Sequence, residues 1–230
     1  MSRNSWLPHE VYLLLCVCLA QVITSADNIT TALSIKEIMS FFDVDLSVGQ
    51  MIASLYSVIC ASLMIISGVL GYFFNWKKIF QFGLCFTFFG EVFAIASSDL
   101  LTFVGLSRVL FGIGASLILP ACVSLLSTVI KKNNRVLAFS IWGTSVAVII
   151  AVFPLLLNAL HQYWEWRSGY IILAGLSLLV LVLSLKMPET EFLVSDVKIN
   201  VSESVLVFIT LILFLLSVVL TPKLGFFVPS

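Results

Sequence analysis

The chain has 230 residues, of which 60% are hydrophobic and only 10% charged. Soluble domains carry about a quarter charged residues, so this chain cannot cover a water-facing surface, and the lack of polar–apolar alternation at period two excludes an outer-membrane barrel. Twelve basic residues against twelve acidic ones leave no net charge and give no support to nucleic acid as a partner. What remains is an all-α, polytopic membrane bundle, because helices satisfy their own backbone groups in hydrocarbon.

A helix needs about 20 residues to cross the hydrocarbon core. The first apolar run is Val11–Leu33. Its opening part, Val11–Ile23, resembles the core of a signal peptide, and Thr24-Ser25-Ala26 resembles a small-x-small cleavage site. Helix-compatible sequence continues to Leu33, however, and further spans follow at once, so the run reads as an uncleaved first helix. The next spans are predicted over Ser47–Phe74, Ile79–Ser97, Leu100–Ile130, Val136–Leu160 and Ser168–Leu185, the fourth run including an interfacial turn at one end. A seventh is predicted over Val205–Leu220. Short connections make sequential neighbours antiparallel. The domain reading is a six-helix bundle over residues 1–190, a cytoplasmic linker over 191–204, and a seventh helix with the end of the chain over 205–230. The Ser98–Asp99 connection divides the six spans into two groups of three, and inverted three-helix repeats are a common plan of secondary transporters.

Orientation follows from the basic residues. With the amino terminus inside, the cytoplasmic segments hold eight (Arg3, Lys77, Lys78, Lys131, Lys132, Arg135, Lys186, Lys198) and the outer segments three (Lys36, Arg167, Lys223). The amino terminus is therefore expected in the cytoplasm and the bundle in the inner (plasma) membrane. Trp6, Trp76, Tyr163, Trp164 and Trp166 fall at span ends, where amphipathic rings favour the interface.

Charges within the spans are costly and are functional candidates by default. Asp27 is six residues from the outer end of the first span and Glu91 six from that of the third, roughly 9 Å deep at about 1.5 Å per residue. Arg108 is eight residues into the fourth, roughly 12 Å deep. All three are expected at nearly one level in the outer half of the membrane. In one reading Asp27 and Arg108 face each other across a polar cavity, and the carboxylate exchanges a proton as its partner moves or substrate arrives. In the other they form a buried ion pair that only fixes packing. Glu91 is expected to face lipid as a protonated acid or to lie near the interface. Cys16, Cys18, Cys60, Cys85 and Cys122 all lie in apolar runs and read as packing residues. His9 and His161 are too few and too far apart for a metal site. Neither metal nor cofactor is expected, and the absence of a G-x-x-x-x-G-K-[ST] loop argues against ATP-driven transport.

Arg108 opens the stretch Arg108-Val-Leu-Phe-Gly112-Ile-Gly114-Ala115-Ser116, followed by Pro120-Ala121. It resembles the fourth-helix motif R-x-x-x-G-x-G-A of the major facilitator superfamily, in which the arginine is associated with proton coupling. Asp27 to Ile35 is more loosely similar to the first-helix motif D-x-T-x-v-n-v-A-l of that superfamily's fourteen-span drug:proton antiporters, with Asp27 matching outright. Trp164-Glu165-Trp166-Arg167-Ser168-Gly169-Tyr170 is similar to the W-x-W-R-x-x-F that opens their sixth helix. Two motifs depart. The loop G-x-L-a-D-r-x-G-R-K keeps Gly68, Leu70 and Lys77, but Tyr72 replaces its acid and Asn75 its glycine. The fifth-helix G-P-x-x-G-G keeps only Pro154, with Leu157 and Asn158 in place of glycines.

The resemblance, over about residues 11–190, implies the N-terminal six-helix half of a major facilitator fold plus one further helix. It implies proton-coupled efflux of small hydrophobic or cationic compounds and no enzymatic activity. Asp27, Arg108 and Glu91 would then serve proton coupling or the substrate cavity, and Gly68, Lys77, Gly112, Gly114 and Pro154 helix packing and gating. The partners implied are the lipid bilayer, a small-molecule substrate and protons. A missing C-terminal half or a second copy would complete the pore, since one half supplies one wall. The alternatives are a non-transporting remnant or assembly partner, and an uptake permease of the same superfamily.

Overall fold

A computed structural model of the chain describes residues 6–161 and 165–189, with positions 206, 209, 210 and 213. The expected linker and nearly all of the seventh span lie outside the described residues. So does the interfacial pair Tyr163 and Trp164.

Helix α1, Pro8–Leu33, opens on a proline at its first position, where a missing N–H costs nothing. Its first turn is held by Glu10, which accepts the Leu7 amide at 2.9 Å. A short helix follows between the first two predicted spans, α2, Ile35–Phe42, ended by Asp43 in the left-handed region at φ 52°. Asp45 caps α3, Leu46–Phe73, by accepting the Val48 amide at 2.9 Å. Asn75 caps α4, Trp76–Ala96, by accepting from Lys77 at 2.9 Å. The interfacial turn expected at one end of the fourth run does not fall at its start, and the run ends in a bend at Ile130. It is helical from Leu100 to Val129, with a π-helical segment, Thr102–Arg108, running directly into α5, Val109–Val129. Helix α6, Lys132–His161, contains Pro154, and α7 runs Ser168–Ser184.

The π segment is anchored at its N-terminal end by Asp99, which accepts the Thr102 amide at 2.8 Å and the Thr102 hydroxyl at 2.7 Å. Donation from the Thr102 amide, then from its hydroxyl, holds the Asp99 carboxyl below the ordinary carboxylate value. A depressed folded-state value contributes stability that is present above the unfolded value of about 3.9 and lost as pH falls through the folded one. Acidification below that range is expected to fray the segment, and Asp99→Ala to do so at neutral pH. Both are read as faster hydrogen exchange at the Thr102 amide, with unchanged exchange in α1 as the control.

Helix α5 is central: it packs on α4 and α3 and touches α1, while α4 also packs on α7, and α1 on α6 and α7. Two of the expected packing glycines sit at these crossings. A β-carbon on Gly114 would lie 2.6 Å from the Gly83 carbonyl oxygen and 2.7 Å from the Thr87 nitrogen, so α4 and α5 meet backbone to backbone. One on Gly112 would lie 2.8 Å from Ile59 of α3. Gly68 departs from the expectation. A β-carbon there would meet nothing within 4 Å, because the residue lines an open groove of ≈ 500 Å³ with Met64, Trp76, Pro120 and Thr128.

The inward faces of α1, α4 and α5 form the main core, with Leu13, Phe80, Leu84, Phe111 and Leu125 fully buried. Cys16, Cys60 and Cys122 belong to it. The outward faces are apolar as well: Leu101 is 80% exposed, Val136 79% and Leu155 72%. A surface of that kind is stable in hydrocarbon and not in water. Among the described residues five helices are long and apolar enough to cross a bilayer, α1, α3, α4, the π segment with α5, and α6, and the apolar 17-residue α7 follows.

Candidate functional site

Asp27 projects from α1 and Arg108 from the junction of the π segment with α5, so the first members of the two three-helix groups meet. They do not face each other across a cavity. Arg108 Nη1 donates to Asp27 Oδ2 at 3.0 Å, with both side chains within 1% of complete burial. Thr31, one helical turn from Asp27, accepts from the same Nη1 at 2.9 Å. Its own hydroxyl donates to the Asp27 carbonyl at 3.1 Å and lies 3.1 Å from the Tyr170 hydroxyl. One hydroxyl proton serves one acceptor, so Tyr170 is the donor to Thr31. Arg108 Nη2 also reaches the Ser107 hydroxyl at 3.3 Å.

Aromatic rings enclose the guanidinium. Its carbon lies 5.2 Å from the ring centre of Tyr170, 5.3 Å from Phe103 and 5.6 Å from Phe111. Ring faces carry negative potential, and desolvated contacts of this kind are worth about 2 kcal/mol. Phe103 and Tyr170 in turn stack edge-on against Trp166, which meets Phe41 and Phe42 of α2. Arg167 holds that cap by donating to the Ile95 and Ser97 carbonyls at the end of α4, at 3.1 and 2.8 Å, while lying over Phe41. Trp166 and Arg167 thus close one side of the pocket. Sequence reasoning missed Thr31, Tyr170 and the α2 aromatics. The spacing Ile35, Ile38, Phe42 was the available signal for α2.

Glu91 requires a correction: it faces neither lipid nor the interface. Its side chain is fully buried, and neither carboxyl oxygen has a hydrogen-bond partner. It follows Gly90, where a β-carbon would lie 2.8 Å from the Phe111 nitrogen and 3.0 Å from the Ser107 carbonyl. Helix α4 therefore presses against the backbone on either side of Arg108, and Glu91 is within electrostatic reach of Arg108 and Asp27.

The remaining candidates lie elsewhere. Lys77 is 14 residues before Glu91 on α4, about 21 Å along the axis. Its ammonium donates to the Met187 and Leu185 carbonyls at 2.7 and 3.1 Å, beside Gln81 on Ser184 and Tyr12 on Leu183. These four bonds cap the C-terminal end of α7, a terminus with orphan carbonyls and negative partial charge. Pro154 is half-buried beside Phe153 and Leu157, which pack with Ala26 and Leu173. Leu157, standing where the antiporter motif has glycine, thereby fills the seam between α1, α6 and α7. No group of three or more His, Cys, Asp or Glu residues that could hold a metal ion occurs among the described residues.

The apolar envelope and the buried acid–arginine pair define a multi-pass membrane protein. The sequence profile of the Major Facilitator Superfamily matches residues 15–230, and the chain belongs to that superfamily. It is 26% identical over 172 residues to the methyl viologen resistance protein SmvA of Salmonella typhimurium, covering 72% of this chain and 34% of that protein. It is 26% identical over 195 residues to the multidrug efflux pump LfrA of Mycolicibacterium smegmatis, covering 80% and 37% respectively. The chain thus spans little more than a third of the length of these relatives. A crystal structure of the peptide transporter POT with alafosfalin superposes at a TM-score of 0.69 with 17% identity, over 89% of this chain and 46% of that one. A D-xylose–proton symporter superposes at 0.67 with 15% identity, over 84% and 52%. At such identities these likenesses establish the fold alone.

Proposed function

We propose that the chain forms the first bundle of a proton-coupled transporter that moves small cationic or hydrophobic compounds outward across the inner membrane. The buried Asp27–Arg108 pair carries this reading. A carboxylate deep in hydrocarbon persists only while paired, so protonating Asp27, or bringing an organic cation to it, frees Arg108 from α1. That release loosens the seam between the two three-helix groups, where a rocking bundle must shift. The names of SmvA and LfrA support efflux of cationic and diverse compounds. The excess of basic residues in alternate loops supports a cytoplasmic amino terminus. The second wall of the pathway comes from a further bundle, either in a longer chain or in a second copy.

The test is methyl viologen accumulation in proteoliposomes held acid inside. Antiport predicts gradient-driven uptake, reduced at least tenfold, about 1.4 kcal/mol of barrier, by Asp27→Asn or Arg108→Ala. Flux driven by the opposite gradient instead supports uptake, a reading favoured by the similarity of the chain, at 21% identity over 173 residues, to the riboflavin transporter RibZ of Clostridioides difficile. Flux no greater than in empty liposomes overturns autonomous transport. It leaves a non-transporting assembly partner, which the altered residues Tyr72, Asn75, Leu157 and Asn158 favour.

A further inference from the structure

The pocket holds one cation and two carboxyl groups, all fully buried, and the geometry assigns their roles unequally. Arg108 spends Nη1 on Asp27 and Thr31 and Nη2 on Ser107, whereas its Nε–H has no partner. Asp27 Oδ1 and both oxygens of Glu91 likewise have none. An unpaired carboxylate buried beside another carboxylate carries the full desolvation cost of its charge plus like-charge repulsion. A neutral carboxylic acid carries neither.

We propose that Glu91 is the acid that holds the proton of this pocket while Arg108 is engaged by Asp27. The inference deepens the transport reading above and rests on it for its purpose, though not for its test. Three groups lie within electrostatic reach of Glu91: Asp27 on α1, Arg108 on the π segment and Tyr170 on α7. Of these only Arg108 is a cation, so the pocket neutralises one carboxylate at a time.

Two arrangements therefore have equal charge. In the first, Arg108 pairs with Asp27 and the proton is on Glu91. In the second, Asp27 has gained a proton, Arg108 has turned to Glu91, and Glu91 has released one. One proton enters at α1 and one leaves at α4, each pairing with the guanidinium excluding the other. The position of Arg108 suits such a turn. It is the last residue of a π-helical segment, a geometry that is rare and concentrated at functional sites. Reverting that segment to α geometry would rotate it against α5 by about 100°, one residue's share of a turn.

The full chain in lipid nanodiscs is tested by infrared difference spectroscopy at neutral pH, where an exposed glutamate, with a value of about 4.3, is ionised. A protonated-carboxyl C=O absorption is expected in the wild type and is lost in Glu91→Gln, an isosteric change. In Asp27→Asn the guanidinium passes to Glu91, so the same band is lost although Asp27 is not the absorbing group. A wild-type band absent, or unmoved by Glu91→Gln, overturns the assignment. A band that persists in folded Asp27→Asn overturns the sharing of Arg108. Should the Asp27 variant not fold, the wild type and Glu91→Gln still decide where the proton is. None of these readouts requires transport, so failed flux with the predicted bands rejects only the transport reading.

Discussion

Asp27→Ala is expected to destabilise the bundle by about 3–5 kcal/mol, the cost of leaving a buried charge without its partner. The change takes from Arg108, which is fully buried in a cage of Phe103, Phe111 and Tyr170, the carboxylate it rests against, leaves it the hydroxyls of Thr31 and Ser107, and obliges the buried Glu91 to give up its proton to take the place of Asp27. Arg108→Ala strands Asp27 and also removes the body around which three rings are arranged. The informative variant is the double one, Asp27→Leu with Arg108→Met, because apolar pairs of similar volume are often neutral or stabilising by about 1–4 kcal/mol relative to the buried ion pair. SDS-induced unfolding in bicelles measures all three. Recovered stability with absent flux separates a pair retained for transport from one retained for packing. Recovered flux would show that the charges are dispensable to it.

Gly114→Val is expected to cost about 1–3 kcal/mol or more, as overpacking does. The atoms in the way are the Gly83 carbonyl oxygen and the Thr87 nitrogen. Both are backbone, so α4 itself must move away from α5. That movement carries Gly90 and Glu91 with it, and the variant is expected to disturb the charged pocket about two turns away as well as stability. Gly68→Ala is the matched contrast. Its β-carbon enters open space, and replacing a helical glycine by alanine is worth up to about 1 kcal/mol in favour of the helix. Thermal unfolding of the two variants in nanodiscs should move in opposite directions. A Gly114→Val midpoint equal to the wild type would contradict the backbone-to-backbone crossing.

Five membrane-length helices and the shorter α7 were legible in the sequence because a lipid-facing helix is apolar over its whole length, and that signal is local. Span starts differ from the reading by up to four residues, at Lys132, and by three at Trp76, where an interfacial aromatic and two lysines hid the first turn behind Asn75. Helix α2 was not legible as an element: eight residues are too few to span a bilayer, and its apolar stripe makes sense only against Trp166 and Phe103. The π segment escaped for a different reason. Its register depends on an i→i+5 pattern held by Asp99 at one end and by the packing of α4 at the other.

For the site, sequence alone picked out Asp27, Glu91 and Arg108, because each charge in hydrocarbon costs several kcal/mol and stands out against sixty per cent apolar residues. Helix rise even placed them at one depth. Depth along a helix, however, says nothing of azimuth. Only packing decided that Asp27 and Arg108 touch, that Glu91 turns inward to find no partner, and that Gly68 turns outward. Each helix is anchored to its neighbours at crossings such as Gly83–Gly114, and those long-range contacts set its rotation. Composition and spacing thus determined which residues belong to the membrane and which cannot rest there idly. The tertiary structure determined their pairing, because a single buried guanidinium can neutralise only the carboxylate towards which its helix is turned.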